Sequence, residues 1–154
     1  MKKILTAGAF LVALSSTAIA GSFTTIAPTD PVVATPSVNW TGAYIGGELG
    51  DATQGAYAGY RVDFGTVVGG AEVGYNWGTV DSTTVEGTLG YDMGAILPYI
   101  SGGYEWANNA TEGFIYGAGI DYRVTNAFTV GAKLQWQDYI SAAPVAVLRV
   151  GYQF

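Results

Sequence analysis

The 154-residue chain contains no cysteine and no histidine. It therefore lacks the usual protein ligands of zinc and haem, and it cannot build a Ser-His-Asp or Cys-His nucleophile. No phosphate loop of the form Gly-x-x-x-x-Gly-Lys-Ser/Thr occurs. Without cysteine there is also no disulfide, so an exported form must be stabilised in another way. These absences predict a non-enzymatic protein with no cofactor and no metal, and they identify no small-molecule substrate.

Charge is scarce as well. Charged residues make up 12% of the chain, against about 25% in ordinary soluble domains. The net charge is −6, and loss of Lys2 and Lys3 with an N-terminal signal leaves four basic residues against twelve acidic ones, or −8. Nucleic acid requires a basic surface, so we expect no nucleic-acid partner. The 23 glycines and the 14% of aromatic residues favour β structure.

Only the N-terminus carries an extended apolar run. A positively charged start is followed by apolar residues from Ile4 to Leu14, and Ala18 and Ala20 then form a small-residue cleavage site. The run is too short to cross a bilayer as a helix. The pattern is typical of a secretory signal peptide over residues 1–20, so we predict export from the cytoplasm with cleavage after Ala20.

The remaining sequence falls into two parts that differ in composition and in hydrophobic period. Residues 21–39 hold three prolines and no hydrophobic period, which predicts an extended periplasmic linker. From residue 40 to residue 154, apolar and polar residues alternate in short segments bounded by Gly, Asn, Asp or Pro. This alternation predicts one all-β domain at 40–154 with eight strands. The predicted strands are 40–50, 55–65, 67–77, 83–92, 97–106, 113–124, 127–138 and 145–154.

The alternation separates charged from apolar residues. In the stretch AYAGYRVDF at 56–64, Tyr60 and Val62 share one face, while Arg61 and Asp63 share the other. The polar face is rich in glycine, which would weaken a soluble exterior but makes room for side chains inside a narrow barrel. Eleven charged residues occupy the alternate strand positions that belong to this polar face, and they are predicted to form an interior charge network. They are Glu48, Arg61, Asp63, Glu72, Glu86, Asp92, Glu105, Asp121, Arg123, Lys133 and Arg149.

Two closed folds fit eight alternating strands. A soluble barrel buries its apolar face, whereas a membrane barrel turns that face to lipid and keeps its charges inside. Aromatic residues near the strand ends, aliphatic residues between them and strands of roughly 10–12 residues favour the membrane barrel. Hydrocarbon offers no partner for an unpaired backbone N–H, so the sheet must close. We therefore predict an eight-stranded antiparallel up-and-down transmembrane β-barrel.

Several segments resemble a known family. WTGAYIGGELG, GGAEVGYNW, LPYISGGYEW, GAGIDYRV and the closing LRVGYQF are similar to segments of the small eight-stranded OmpA-like outer-membrane barrels of Gram-negative bacteria, which are also catalogued as porin-family surface antigens. The resemblance covers Trp40 to Phe154. It implies location in the outer membrane, contact with lipid and lipopolysaccharide, and recognition by the barrel assembly machinery. It also implies that Tyr152 and Phe154 form the signal that this machinery reads.

Three functions remain open for such a barrel. The interior of an eight-stranded barrel is filled by side chains, which favours a structural role in envelope integrity, with the protein as a monomer. A narrow channel for ions or very small solutes is the alternative, and a surface ligand-binding protein is the second alternative. The surface connections are predicted to be short, which disfavours ligand binding. Their acids are compatible with solvated turns or with a weak divalent-cation site facing lipopolysaccharide phosphates. These acids are Asp51, Asp81, Glu112 and Asp138.

Overall fold

A computed structural model describes residues 38–50, 53–78, 81–108, 112–138 and 143–154. These residues form a closed barrel of eight antiparallel strands in sequence order, with β1 paired to β8. The strands are β1 Gly42–Gly50, β2 Thr53–Asp63, β3 Val67–Gly78, β4 Ser82–Tyr91, β5 Ile96–Ala107, β6 Gly113–Arg123, β7 Phe128–Gln137 and β8 Val145–Gln153. The predicted fold is confirmed, and each predicted strand boundary lies within two residues of the observed one.

The predicted signal peptide, with Ala18 and Ala20, and most of the predicted linker lie outside the described residues. Within the described residues, no helix combines the length and the apolar character needed to cross a membrane.

The barrel has two ends. The loop end carries the connections β1–β2, β3–β4, β5–β6 and β7–β8. The terminus end carries the three other turns, together with the residues that precede β1 and follow β8. Two of these turns share an Asp-x-Gly pattern in which Gly65 and Gly94 have φ of +96° and +79°. In each turn the aspartate two residues earlier accepts a hydrogen bond from the glycine N–H at 2.7 Å, as in Asx turns.

Gly102 and Gly103 are neighbours on β5 but face opposite sides of the sheet. A Cβ at Gly103 would press on the backbone of β4, only 2.7 Å from the Glu86 Cα, whereas a Cβ at Gly102 would meet no atom within 4 Å. We expect Gly103→Ala to lower the free energy of unfolding by about 1–3 kcal/mol, because overpacking forces the backbone to shift. Gly102→Ala should be neutral or stabilising by up to about 1 kcal/mol.

Equilibrium unfolding of the refolded protein by urea measures both glycine variants. Because the two glycines are consecutive in β5, they lie on the same strand at nearly the same depth in the barrel. They differ mainly in the face of the sheet to which a side chain would point. A Gly102→Ala variant that loses as much stability as Gly103→Ala would contradict the assignment of the two faces.

Candidate functional site

Three ion pairs join strands that are not neighbours, so they span the interior of the described barrel. The pairs are Arg61–Asp121, Lys133–Glu86 and Arg149–Glu72, each with an N–O distance of 2.6 Å. All six side chains are buried. Charges removed from water require partners of this kind, and each pair ties opposite walls of the barrel together.

Arg149 is the most highly coordinated of these cations. Its Nη2 donates to both carboxylate oxygens of Glu72, and its Nη1 donates to the hydroxyl oxygen of Tyr99 at 2.7 Å. Its Nε lies 3.7 Å from a carboxylate oxygen of Glu48. The guanidinium also lies 3.9 Å from the centroid of the Tyr57 ring, a cation–π geometry. This side chain therefore links four strands to β8 through a single charge.

Three tyrosines surround these pairs, and each lies against a glycine on the adjacent strand. The tyrosine–glycine partners are Tyr44 with Gly59, Tyr57 with Gly46, and Tyr99 with Gly119. Tyr44 donates its hydroxyl hydrogen to Glu72 at 3.0 Å. The sequence predicts that glycine makes room for Arg and Tyr side chains inside the barrel and places Tyr57 on the polar face, but Tyr44 and Tyr99 were not recognised as interior residues. Their parity, which they share with the charged residues, was the signal that could have found them.

The other predicted network residues have different partners. Glu105 accepts a hydrogen bond from Gln137 Nε2 at 2.8 Å. Arg123 donates to the carbonyl oxygen of Asn126 at 2.9 Å and to the side-chain oxygen of Gln153.

Asp63 and Asp92 lie at the terminus end, where their carboxylates accept hydrogen bonds from backbone N–H groups of the turns. Parity could not separate these two acids from those deep in the barrel, because a strand end and a strand centre share the same period.

Buried apolar side chains lie toward both ends of the interior. At the terminus end, Trp40, Val68 and Leu97 form a buried cluster, with Val38 packed against it. Nearer the loop end, Ile115 and Val147 are buried, at 1% and 8% exposure. The three ion pairs, together called the charged layer, therefore have an apolar cluster on their terminus side and a mixture of buried apolar and polar side chains on their loop side.

The outer surface is apolar around the whole barrel. Central outward positions carry aliphatic residues such as Val73, Leu89 and Ile100, each at least half exposed. Aromatic residues lie toward both ends, for example the stacked rings of Tyr116 and Trp136 near the loop end. No charged side chain of the described strands points outward. An apolar surface of this extent marks a site of contact with membrane or protein rather than with water.

Tyr152 and Phe154, the residues predicted as an assembly signal, both point outward at the terminus end. Their rings meet edge to face with centroids 5.1 Å apart, and Tyr152 makes a second edge-to-face contact with Phe128. At the loop end, Asp81 is half-buried, Glu112 and Asp138 are exposed, and Asp51 lies outside the described residues. Within the described part of the chain, no three acidic side chains are grouped so that they could hold a metal ion.

Comparison with known proteins gives fold relatives only. No family model matches the sequence, and no curated protein matches it. Among solved structures, the de novo designed protein TMB2.3 superposes with a TM-score of 0.60 and 17% identity, covering 74% of this chain and 94% of that one. A structure described as a de novo designed transmembrane β-barrel gives 0.58 and 18%, covering 74% and 96%.

A natural protein is similar in the same way. The N-terminal β-barrel domain of Pseudomonas aeruginosa OprF superposes with a TM-score of 0.57 and 21% identity, covering 75% of this chain and 99% of that domain. The chain thus has the closed eight-stranded fold of these transmembrane barrels, as the sequence resemblance implied.

Proposed function

We propose that this chain is a non-enzymatic integral protein of the Gram-negative outer membrane, with a structural role in envelope integrity. The outward apolar surface supports membrane insertion, because in water it would leave a large apolar area unburied. The likeness to designed transmembrane barrels supports a fold that spans a membrane. An N-terminal signal peptide would supply export across the inner membrane.

The observation that carries the structural role is the filled interior. Three ion pairs cross it, and the cluster of Trp40, Val68 and Leu97 closes the terminus end. A hydrated ion would have to displace these pairs and pass an apolar constriction, and apolar constrictions oppose conduction by excluding water. The interior therefore supports a closed cylinder better than a channel.

The proposal includes the surroundings of the barrel. Its outer surface would contact outer-membrane lipid and lipopolysaccharide, and the barrel would function as a monomer. The exposed pair Tyr152 and Phe154 would be read by the barrel assembly machinery while β8 closes against β1. Cell fractionation combined with a heat-dependent gel shift tests the location. A folded species in the outer-membrane fraction supports it, and a freely soluble periplasmic species contradicts it.

Single-channel recording in planar bilayers separates the structural role from the channel. We expect the purified, refolded protein to give no steady conductance, because the ion pairs and the apolar cluster at the terminus end fill its interior. The gel shift on the same preparation verifies that the protein is folded. Steady, voltage-independent conductance from a folded preparation would replace the structural role with that of a narrow channel for ions or very small solutes.

A further inference from the structure

Trp40 lies just before β1 and fills the mouth of the barrel at the terminus end. Its side chain is fully buried, and it packs against Val68 and Leu97. The indole N–H donates to the carbonyl oxygen of Gly94 at 3.1 Å. The guanidinium of Arg123 lies 4.2 Å from the ring centroid, a favourable cation–π distance. The ring is therefore held from the β3, β5 and β6 sides and by the β4–β5 turn.

The residues beside Trp40 are fastened to strand ends. The backbone N–H of Trp40 donates to the Asp63 carboxylate at 3.3 Å. The backbone N–H of Asp63 in turn donates to the hydroxyl oxygen of Thr41 at 2.9 Å. The side-chain nitrogen of Gln153 donates to the carbonyl oxygens of Asn39 and Thr41, at 3.3 and 2.8 Å. We call residues 39–42 the clasp, because they join the ends of β2 and β8.

Gly42 ends the clasp and begins β1. Its φ of +147° lies in a region that L side chains rarely adopt, and a Cβ there would lie 3.0 Å from the carbonyl oxygen of Phe154. Glycine permits this backbone conformation without steric cost. The chain can therefore depart from the direction of β1 at this point and enter the mouth of the barrel.

We propose that Trp40 is an internal stopper that closes the terminus end and is held there by the clasp, outside the strand ladder of the barrel. Trp40 precedes the first ladder pair of β1, Gly42 with Arg61. Displacing the ring would therefore break its own contacts with Leu97, Gly94 and Arg123 and those of the clasp, but no ladder pair of β1. Its departure exposes Val68, Leu97 and the charged layer behind them to water.

The absence of cysteine in the native chain gives a direct test with single introduced thiols. Val68→Cys places a thiol beneath the Trp40 ring, and Thr66→Cys places one on the exposed turn two residues away. Folded protein in detergent micelles is treated with a water-soluble methanethiosulfonate reagent, and the labelling rates are compared. Because only folded protein is required, the test stands apart from membrane location and conductance.

With Trp40 intact, we expect Val68→Cys to react at least about 100-fold more slowly than Thr66→Cys, since reactivity follows exposure. Adding Trp40→Ala should bring the two rates within about 10-fold, because the thiol then faces the open mouth. The matched control adds Trp106→Ala, which removes an outward tryptophan and should leave the thiol protected. The proposal is wrong if Val68→Cys reacts as fast as Thr66→Cys with Trp40 present, or stays protected in a folded Trp40→Ala variant.

A second measurement keeps the proposal testable if Trp40→Ala does not fold. The chain has four tryptophans, so replacement of Trp77, Trp106 and Trp136 by Phe leaves Trp40 as the only fluorescent indole. We expect its emission to resist quenching by both aqueous acrylamide and brominated lipid, because the ring contacts neither phase. Efficient quenching by either agent would overturn the stopper.

Discussion

Replacing Glu86 with leucine is expected to lower the free energy of unfolding by about 3–5 kcal/mol, which is typical when one partner of a buried ion pair is removed. Lys133 donates to both carboxylate oxygens of Glu86, at 2.6 and 2.7 Å, and it is only 3% exposed. In the variant, its ammonium group remains in the interior without these acceptors. The cost is therefore chiefly the desolvation of an uncompensated charge rather than the loss of a single contact.

The double variant Glu86→Leu with Lys133→Met is the control for this prediction. It removes both charges and leaves apolar groups of similar size, a change that is often close to neutral. We expect the double variant to be more stable than either single variant, as measured by urea unfolding of protein refolded into lipid vesicles. If the two single losses simply add in the double variant, the side chains do not interact in the folded barrel.

The alternation of residues was sufficient to predict the strands and their faces. A one-residue shift in register would turn every apolar side chain of a strand inward. Only one register therefore lets Glu72 face the interior while Val73 faces outward. Closure followed from the same pattern, since an open apolar sheet would leave backbone groups unpaired in lipid. These inferences depend on period and chemistry, both of which are visible in the sequence.

Pairing across the interior could not be predicted in this way. Parity places Arg61 inside the barrel, but which acid it meets depends on the stagger of the strands and on the reach of each side chain. Asp121, on the opposite wall, accepts its hydrogen bond. Asp63, on the same strand as Arg61, instead accepts hydrogen bonds from backbone N–H groups of the clasp and of the β2–β3 turn. Depth along the barrel decides between these outcomes, and a period of two carries no information about depth.

The stopper was missed for a related reason. The sequence predicts Trp40 as the first residue of β1, because the alternation of apolar and polar residues begins there. The positive φ of Gly42 takes Trp40 out of that strand and into the mouth. The Thr-Gly pair after Trp40 was the available signal, since glycine at a strand start permits a backbone conformation that other residues avoid.

Val73→Arg is expected to lower the free energy of unfolding in lipid vesicles by about 2–4 kcal/mol, the cost of an arginine on the lipid face at the bilayer midplane. Val73 lies at the centre of β3, points outward and is 53% exposed. Its register partners Ala58 and Val85 are apolar and offer the guanidinium no acceptor side chain. The arginine must therefore extend toward an interface or draw water into the hydrocarbon, and both responses are costly.

Gln54→Arg is the matched control, because Gln54 is exposed on the same outward face but lies near the loop end of β2. An arginine close to the interface should cost only about 0–1 kcal/mol. The comparison also tests whether the outward face of the barrel meets lipid or water. If the outward face met water, both positions would be ordinary surface sites, and each substitution would change stability by no more than about 0.5 kcal/mol. Equal, small effects at Val73 and Gln54 would therefore contradict insertion in a membrane, whereas a penalty confined to Val73 requires hydrocarbon around the middle of the barrel.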